Sequence, residues 1–384
     1  MAAWRSWSVT AAGRIAALSS DREAIKAEFL QGAGLGDATR QLLAGDASTR
    51  RYERLTTPGG TSLIFMDQPP AVESAPCPPD ATPEQRLEAG YNASARLAAG
   101  RVEAFIAAAD YLRSRGLSAP EIIEAAPERG LAVLEDLGDD LYARLIQSGV
   151  AEAPLYEAAI DALITLHASA PPEVLNGGEA RWPLLAYDDL ALKTGSDLFL
   201  EWWPKFSGLP AFDAEAAAEW ERLWAPVRAQ GSAAALGPQG VFAHRDYHAE
   251  NLIWLPGRGG ARRVGMLDFQ DALRAHPAWD LLSLLQDARR DVPPELEAAM
   301  LERYLRARPD LDRESFLADY RALAALNAAR ILFIFARQVA GFGRPRYTAF
   351  MPRTWRQLER NLAAPGMEGL KAWFDRQVPQ ERRA

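Results

Sequence analysis

The chain has 384 residues, of which 48% are apolar and 24% charged, with a net charge of −8 and a pI near 5.3. That balance fits a globular protein large enough for one two-lobed enzyme, and it argues against a general nucleic-acid-binding surface. A single cysteine, Cys77, excludes an intramolecular disulfide and any multi-cysteine metal site.

In chain order, residues 1–20 read as an extension. They carry Arg5 and Arg14 but no acid, and they lack the unbroken apolar stretch of a signal peptide, so a cytoplasmic location is expected. No apolar run approaches the ~20 residues that span a bilayer. Residues 21–43 have helical apolar spacing at Ile25, Phe29, Leu30 and Leu42. Arg51–Leu55, the turn TTPGG and Ser62–Met66 read as a β-hairpin. A Pro-rich connection, Ala-rich helical stretches ending near Gly116 and a short buried strand within 131–138 follow. Residues 21–137 are thus expected to form a small strand-containing N-lobe. After the junction, residues 138–384 read as a large, mainly helical C-lobe, whose last long stretch, ESFLADYRALAALNAARILFIFARQVAGF, predicts one or two buried helices. Its strands are expected between 241 and 268. The fold class is α+β.

Chemistry concentrates in HRDYHAEN, His244 to Asn251. Leu252–Leu255 and Val264–Leu267, flanking PGRGGA, predict a β-hairpin, so Asn251 and Asp268 stand side by side at one end of an antiparallel pair. Asp246 lies on the loop entering that hairpin. A carboxylate and an amide oxygen can hold Mg²⁺ beside triphosphate oxygens, while a second carboxylate accepts the proton of an acceptor hydroxyl. On this reading Asp246 is the catalytic base, and Asn251 and Asp268 hold metal. Asp and Asn also favour turns and caps, but that alone does not account for the full spacing followed by LDFQD. His244 is expected to brace the loop by hydrogen bonds, and His167 to sit in the core. His244, His248 and His276 fit no standard zinc spacing. Asp280 is expected to cap or brace the catalytic loop.

The segments HRDYHAENLIW, GMLDFQDA and HPAWDLLSLL, with the hinge-like LEDLG and the helix ending LHA, resemble the aminoglycoside phosphotransferase and choline kinase family. The resemblance covers roughly residues 30–360 and implies a bilobal protein-kinase-like fold that uses ATP and Mg²⁺. Protein kinases follow the metal aspartate with an activation loop ending in A-P-E. Here Pro277 and Asp280 follow instead, which implies a small-molecule acceptor. Within the family, AGDASTRRYERL, LIFMDQPP and ARQVAGFGRPRYTAFMPR look like the sugar kinases of Gram-negative peptidoglycan recycling. Those enzymes phosphorylate the anomeric hydroxyl of N-acetylmuramate and N-acetylglucosamine. Aminoglycosides, choline and other amino alcohols are the alternative acceptors on this fold.

One departure stands out. Kinase-like folds carry a lysine on the third strand that pairs with the α- and β-phosphates, yet no lysine lies between Lys26 and Lys193. Ser48, Thr49 and Arg50, with backbone N–H groups of GDAST, are candidates to hold the phosphates instead. A pseudokinase that binds nucleotide without turnover is the rival reading. The hinge resemblance implies adenine binding through the main chain of Glu135 and Leu137. Glu201, Trp202 and Arg337 are candidates for the acceptor, an aromatic face and charged groups suiting a sugar. The basic segment from Arg337 onward suits a lactyl carboxylate or a neutral sugar better than a cation. The expected partner is therefore a small amino sugar, with no nucleic acid or membrane; the oligomeric state is left open.

Overall fold

A computed structural model describes residues 21–43, 50–68, 76–98, 101–232, 236–237 and 240–383. The extension expected over residues 1–20 lies outside them. The chain divides into two compact units. One comprises the described residues of 1–72 with Arg101–Glu103 and Pro120–Leu137; the other comprises Glu73–Gly100, Ala104–Ala119 and Gly138–Ala384.

The first unit is a helix, α1 (21–32), on a five-stranded antiparallel sheet. Its strands are β1 (Thr39–Leu42), β2 (Arg51–Thr56), β3 (Ser62–Asp67), β4 (Ile122–Ala126) and β5 (Leu131–Glu135), in the order β1-β2-β3-β5-β4. Strand periodicity sorts the side chains between two faces. Leu55, Phe65, Leu131 and Val133 join Phe29 and Leu30 of α1 in the core, with the Phe29 and Phe65 rings stacked at 6.0 Å. The same face carries a buried charge network. Glu53 accepts from Lys26 and from Arg40, each at 2.6 Å, and Asp67 accepts from Arg22 at 2.6 Å. Tyr52 and Met66, directly paired in register, point the other way.

The helix expected over 21–43 stops at residue 32, where Gly32, Gly34 and Gly36 interrupt it; Gly34 has φ 70°. Thr39–Leu42 is instead an edge strand, exposed at every residue, so no alternation of apolar residues marked it. Gly130 is required by close approach: a Cβ there would lie 1.9 Å from the carbonyl oxygen of Gln68.

The second unit starts with α2 (Pro83–Ala89) and most of α3 (Val102–Ser114). The N-lobe expected over 21–137 is therefore smaller than its span. The physical reason is packing: Arg86 pairs with Asp188, Phe105 stacks on Phe269 at 4.7 Å, and Tyr111 stacks on Phe242 at 5.0 Å. Next come α4 (Tyr142–Gln147), α5 (Glu152–Leu166), the hairpin β6 (Val174–Gly177) and β7 (Ala180–Pro183), α6 (Asp189–Ser207) and α7 (Ala214–Gly231). Two short antiparallel pairs follow. They join β8 (Val241–Ala243) to β11 (Leu273–Ala275), and β9 (Leu252–Trp254) to β10 (Val264–Met266). The strands β6, β7 and β11 fall outside the expected 241–268 window.

The remaining helices are α8 (Ala278–Leu285), α9 (Pro294–Ala307), α10 (Arg313–Ala340), α11 (Met351–Leu362) and α12 (Glu368–Gln377). The stretch expected as one or two helices is one, α10, started by Asp312, whose carboxylate accepts from the Ser315 backbone at 2.8 Å. By length and composition α10 could cross a membrane, but 61% of its apolar stretch is buried within the protein, where it packs on α6, α8 and α11.

Glu53 holds two cations in a buried setting, and removing one side of such an arrangement is costly. Glu53→Gln should lower unfolding free energy by about 3 kcal/mol, measured by urea denaturation.

Candidate active site

The loop His244–Asn251 leaves β8 and is fixed by α8. Asp280, fully buried, accepts the backbone N–H of His244 and of Arg245, each at 2.8 Å. Arg245 has φ 78°, a conformation that costs a non-glycine residue energy and persists only when neighbours hold it. Besides those bonds, its guanidinium donates to the carbonyls of Ala95 (2.8 Å) and Arg96 (3.1 Å) and lies 5.2 Å from the Tyr187 ring. Tyr247 is buried and donates to the Ala159 carbonyl at 2.9 Å. Asp246, between these two anchored residues, is half-buried. The bracing expected of Asp280 is what the structure contains.

The β9–β10 register opposes Leu252 to Met266, and the Leu267 N–H donates to the Asn251 carbonyl at 2.9 Å. Asn251 and Asp268 consequently sit at the same end of the pair. Asn251 Nδ2 donates to the Asp246 carbonyl at 2.9 Å, which turns the amide oxygen to the opposite side, where no described donor engages it. Asp268 has φ 63°, a second strained residue, and accepts from Gln270 Nε2 at 3.0 Å. Among the described residues no group of three or more His, Cys, Asp or Glu side chains could hold a metal by itself. One carboxylate and one amide oxygen suit a hard cation that arrives with phosphate oxygens and water, which is the ligand habit of Mg²⁺.

His248 stiffens this arrangement. Its Nε2 lies 3.4 Å from Asn251 Nδ2 and 3.3 Å from Arg289 Nη1. Burial, helped by the neighbouring Arg289 charge, pushes its pKa down to about 4, so the ring is neutral near pH 7 and its Nε2 can accept from both. His167 is also held neutral, chiefly by burial; its Nδ1 pairs with the Tyr304 hydroxyl at 2.8 Å, and its Nε2 stands 3.7 Å behind Asp280. His244 corrects an expectation. Neither ring nitrogen has a hydrogen-bond partner among the described residues, and the ring meets Tyr247 and Phe269 edge-on at 5.5 and 6.2 Å. It braces the loop by packing.

The other sequence candidates divide between the units. Ser48 and Thr49 lie outside the described residues. Arg50 is 7% exposed, and its Nη1 donates to the Tyr52 hydroxyl at 3.1 Å, which places it on the Tyr52–Met66 face of the sheet. Lys26 belongs to the opposite face, so it is not a substitute for the missing strand lysine. Glu135 donates its backbone N–H to the Glu121 carbonyl at 2.8 Å, and the Leu137 side chain is buried. In the second unit Glu201 is paired with Lys205 at 2.6 Å, and Lys205 Nζ lies 4.4 Å over Trp202. Arg337 lies 5.8 Å from the same Trp202 ring.

Sequence reasoning missed Arg330, Tyr91, Tyr187 and the Arg96–Asp271 pair, which is closed at 2.8 Å. Burial opposes the charge of Arg330, yet its electrostatic interactions with Tyr187, Asp246, Tyr91 and Asp271 hold its guanidinium above the ordinary arginine value. A signal for Arg330 was present: it lies seven residues from Arg337, two turns along one helix face. Nothing local in the sequence brings Tyr91 or Tyr187 to the same place.

Replacing Asp280 by Ala leaves two buried N–H groups without acceptors, at about 1–3 kcal/mol each. Asp280→Ala is expected to lower the denaturation midpoint strongly, whereas Asp280→Asn, which keeps one acceptor, should lose less. The unfolded chain protonates His248 near pH 6.5 and the folded protein only near pH 4, so its neutral form contributes stability that is lost as pH falls through that window. The contribution is roughly 3 kcal/mol at full extent. Thermal melts between pH 7 and 4.5 should fall less steeply for His248→Gln than for the unaltered protein.

Residues 39–326 match the model of the phosphotransferase enzyme family. Over 366 residues, 95% of this chain and 99% of the relative, the sequence is 63% identical to the N-acetylmuramate/N-acetylglucosamine kinase of Caulobacter vibrioides. A protein of the same name from Pseudomonas aeruginosa is 30% identical over 329 residues, covering 83% of this chain and 82% of that one. The fold is similar to that of a choline kinase from Streptococcus pneumoniae, with a TM-score of 0.52 and 16% identity over 88% of this chain and 98% of that one. The architecture is the protein-kinase-like one of choline kinases, and the chain belongs to the phosphotransferase enzyme family.

Proposed function

We propose that this protein transfers the γ-phosphoryl group of ATP to the anomeric hydroxyl of N-acetylmuramate and N-acetylglucosamine, a step of peptidoglycan recycling. For the acceptor, the carrying observation is the 63% identity, nearly end to end, to a kinase named for those two sugars. For the reaction type, support comes from Asp246 set on an anchored loop beside the Asn251–Asp268 pair.

Asp246 takes the proton of the acceptor hydroxyl as its oxygen forms a bond to the γ-phosphorus. The bond from that phosphorus to the β,γ-bridging oxygen breaks, and ADP leaves with the electron pair. Asn251 Oδ1 and the Asp268 carboxylate are the groups to hold Mg²⁺, which when bound neutralises charge on the phosphates. Arg50 supplies the positive charge that the third strand lacks, together with Ser48, Thr49 and the backbone N–H groups of GDAST. Adenine is held by the main chain at Glu135 and Leu137. On the acceptor side, Trp202 offers a ring to the sugar, Arg337 offers a cation, and Glu201 acts through the Lys205 ammonium that lies over Trp202.

The missing strand lysine keeps a second reading alive, that of a nucleotide-binding protein without turnover. A coupled assay of ADP release separates the two. With either sugar present, the unaltered protein should release ADP, and Asp246→Asn should lower kcat by roughly 10²–10⁴-fold while still binding ATP. Arg50→Met should raise KM for ATP more than it changes KM for sugar. Binding of ATP with no ADP released from any sugar would sink the kinase reading, and turnover of choline or an aminoglycoside in place of the sugars would redirect it.

A further inference from the structure

The Asn251–Asp268 pair is useful to a metal only if the Asn251 amide faces the right way. Its Nδ2 donates to the Asp246 carbonyl at 2.9 Å, and since a carbonyl only accepts, the amide nitrogen belongs on that side. The same nitrogen lies 3.4 Å from His248 Nε2. Two acceptors for the two N–H bonds of the amide turn Oδ1 away from both. That holds only if Nε2 carries a lone pair and not a proton. A neutral imidazole has one nitrogen of each kind, and its hydrogen-bond neighbours set which is which.

His248 Nδ1 is buried and has no hydrogen-bond partner among the described residues, so the tautomer is set from the Nε2 side. Arg289 Nη1 lies 3.3 Å from Nε2. A guanidinium is always charged and only donates, so its approach to Nε2 requires a lone pair there and places the ring proton on Nδ1. The contacts at 3.3 and 3.4 Å are both longer than ordinary hydrogen bonds, as befits one lone pair shared by two donors.

Arg289 is itself held in place. Its backbone N–H donates to Asp287 Oδ1 at 2.8 Å, just past the end of α8. Helix α11 fixes the same segment: Gln357 Nε2 donates to the Asp287 carbonyl at 3.1 Å, Arg353 Nη1 donates to the Ala288 carbonyl at 3.2 Å, and Arg353 closes on Asp291 at 2.7 Å. Arg290 turns to Glu152 of α5 at 3.1 Å. The Arg289 Nε faces the exposed Glu250 carboxylate at 3.9 Å, which leaves Nη1 to the ring.

We infer that Arg289 is a positioning residue for the metal-holding amide: it fixes the Nδ1–H tautomer of His248, which makes Nε2 an acceptor for Asn251 Nδ2 and leaves Oδ1 for the metal. The inference rests on the role given to Asn251 in the proposed reaction. Arg289 acts through a ring and an amide, so it governs how tightly Mg²⁺ is held beside the nucleotide and not how the acceptor binds.

Correlation spectra of ¹H and ¹⁵N near neutral pH distinguish the two tautomers of a neutral imidazole, and His248→Gln identifies the His248 signals among the four histidines. They are recorded on the full chain without metal, and on Arg289→Met and Arg289→Lys. ATP affinity with Mg²⁺ and with EDTA, KM for N-acetylmuramate at saturating Mg²⁺, and thermal melting are measured alongside. The unaltered protein should show His248 protonated on Nδ1. Arg289→Met should move the ring toward the Nε2–H form and reduce the gain in ATP affinity that Mg²⁺ confers by about tenfold, the low end for losing a group behind a metal ligand. ATP affinity in EDTA and KM for the sugar should stay the same. Arg289→Lys, also a donor-only cation, should restore the tautomer and most of the gain. An Nε2–H ring in the unaltered protein overturns the assignment, as does a folded Arg289→Met that keeps both the tautomer and the gain. A changed tautomer with the gain intact also overturns it, because the link to Asn251 is then missing. Should the unaltered protein show the Nδ1–H ring and Mg²⁺-dependent ATP binding yet phosphorylate neither sugar, the proposed function fails while the positioning role stands.

Discussion

One buried carboxylate organises the chemistry. Asp280 accepts two consecutive backbone N–H groups at 2.8 Å and so holds Arg245 in a left-handed conformation that its side chain would otherwise disfavour. That turn presents Asp246 and sends the Arg245 guanidinium to the carbonyls of Ala95 and Arg96. Arg96, tied to Asp271, is in this way placed in the same neighbourhood as the base. Behind Asp280 stand neutral His167 and the Tyr304 hydroxyl, which exclude water without adding a competing charge. The arrangement is rigid because each buried donor in it has little alternative to the partner it has.

Charge is distributed differently in the two units. In the sheet unit, basic residues of α1 and β1 sink into an acid-bearing sheet face, and Lys26, Arg22 and Arg40 neutralise Glu53 and Asp67. An aspartate near the end of the third strand is therefore compatible with a nucleotide role for the unit, since period-2 alternation turns it to the α1 side while Met66 faces the other way with Tyr52. In the helical unit, by contrast, buried and half-buried arginines such as Arg228, Arg303 and Arg353 are paired with acids of neighbouring helices and loops.

How much of this was legible in the sequence depended on whether the signal was local. The catalytic hairpin was legible, because strand periodicity and a turn of Pro and Gly residues place Asn251 and Asp268 together without any long-range information. Asp280 was legible from its helix start. The edge strand Thr39–Leu42 was not: a strand exposed on all its residues leaves no alternation to read, and the helix pattern before it simply ran on. The hydrogen bonding expected of His244 failed because a buried ring can satisfy packing without satisfying its nitrogens. Tyr91, Tyr187 and Arg330 come from three separate segments, and only the tertiary fold lets Arg330 interact with those two rings and with Asp246.

The segment that carries α2 and most of α3 has a consequence for how the chain acquires its shape. Ile64 of β3 pairs with Leu134 of β5, and about two thirds of the chain between them belongs to the helical unit instead. The centre of the sheet must therefore close a loop of about seventy residues whose own order comes from elsewhere, an entropic cost that grows only slowly with loop length but has to be met before the strands reward it. β2 and β3 face each other across a short local turn, so of the ladders built on β3 only the one to β5 carries the cost of the larger closure.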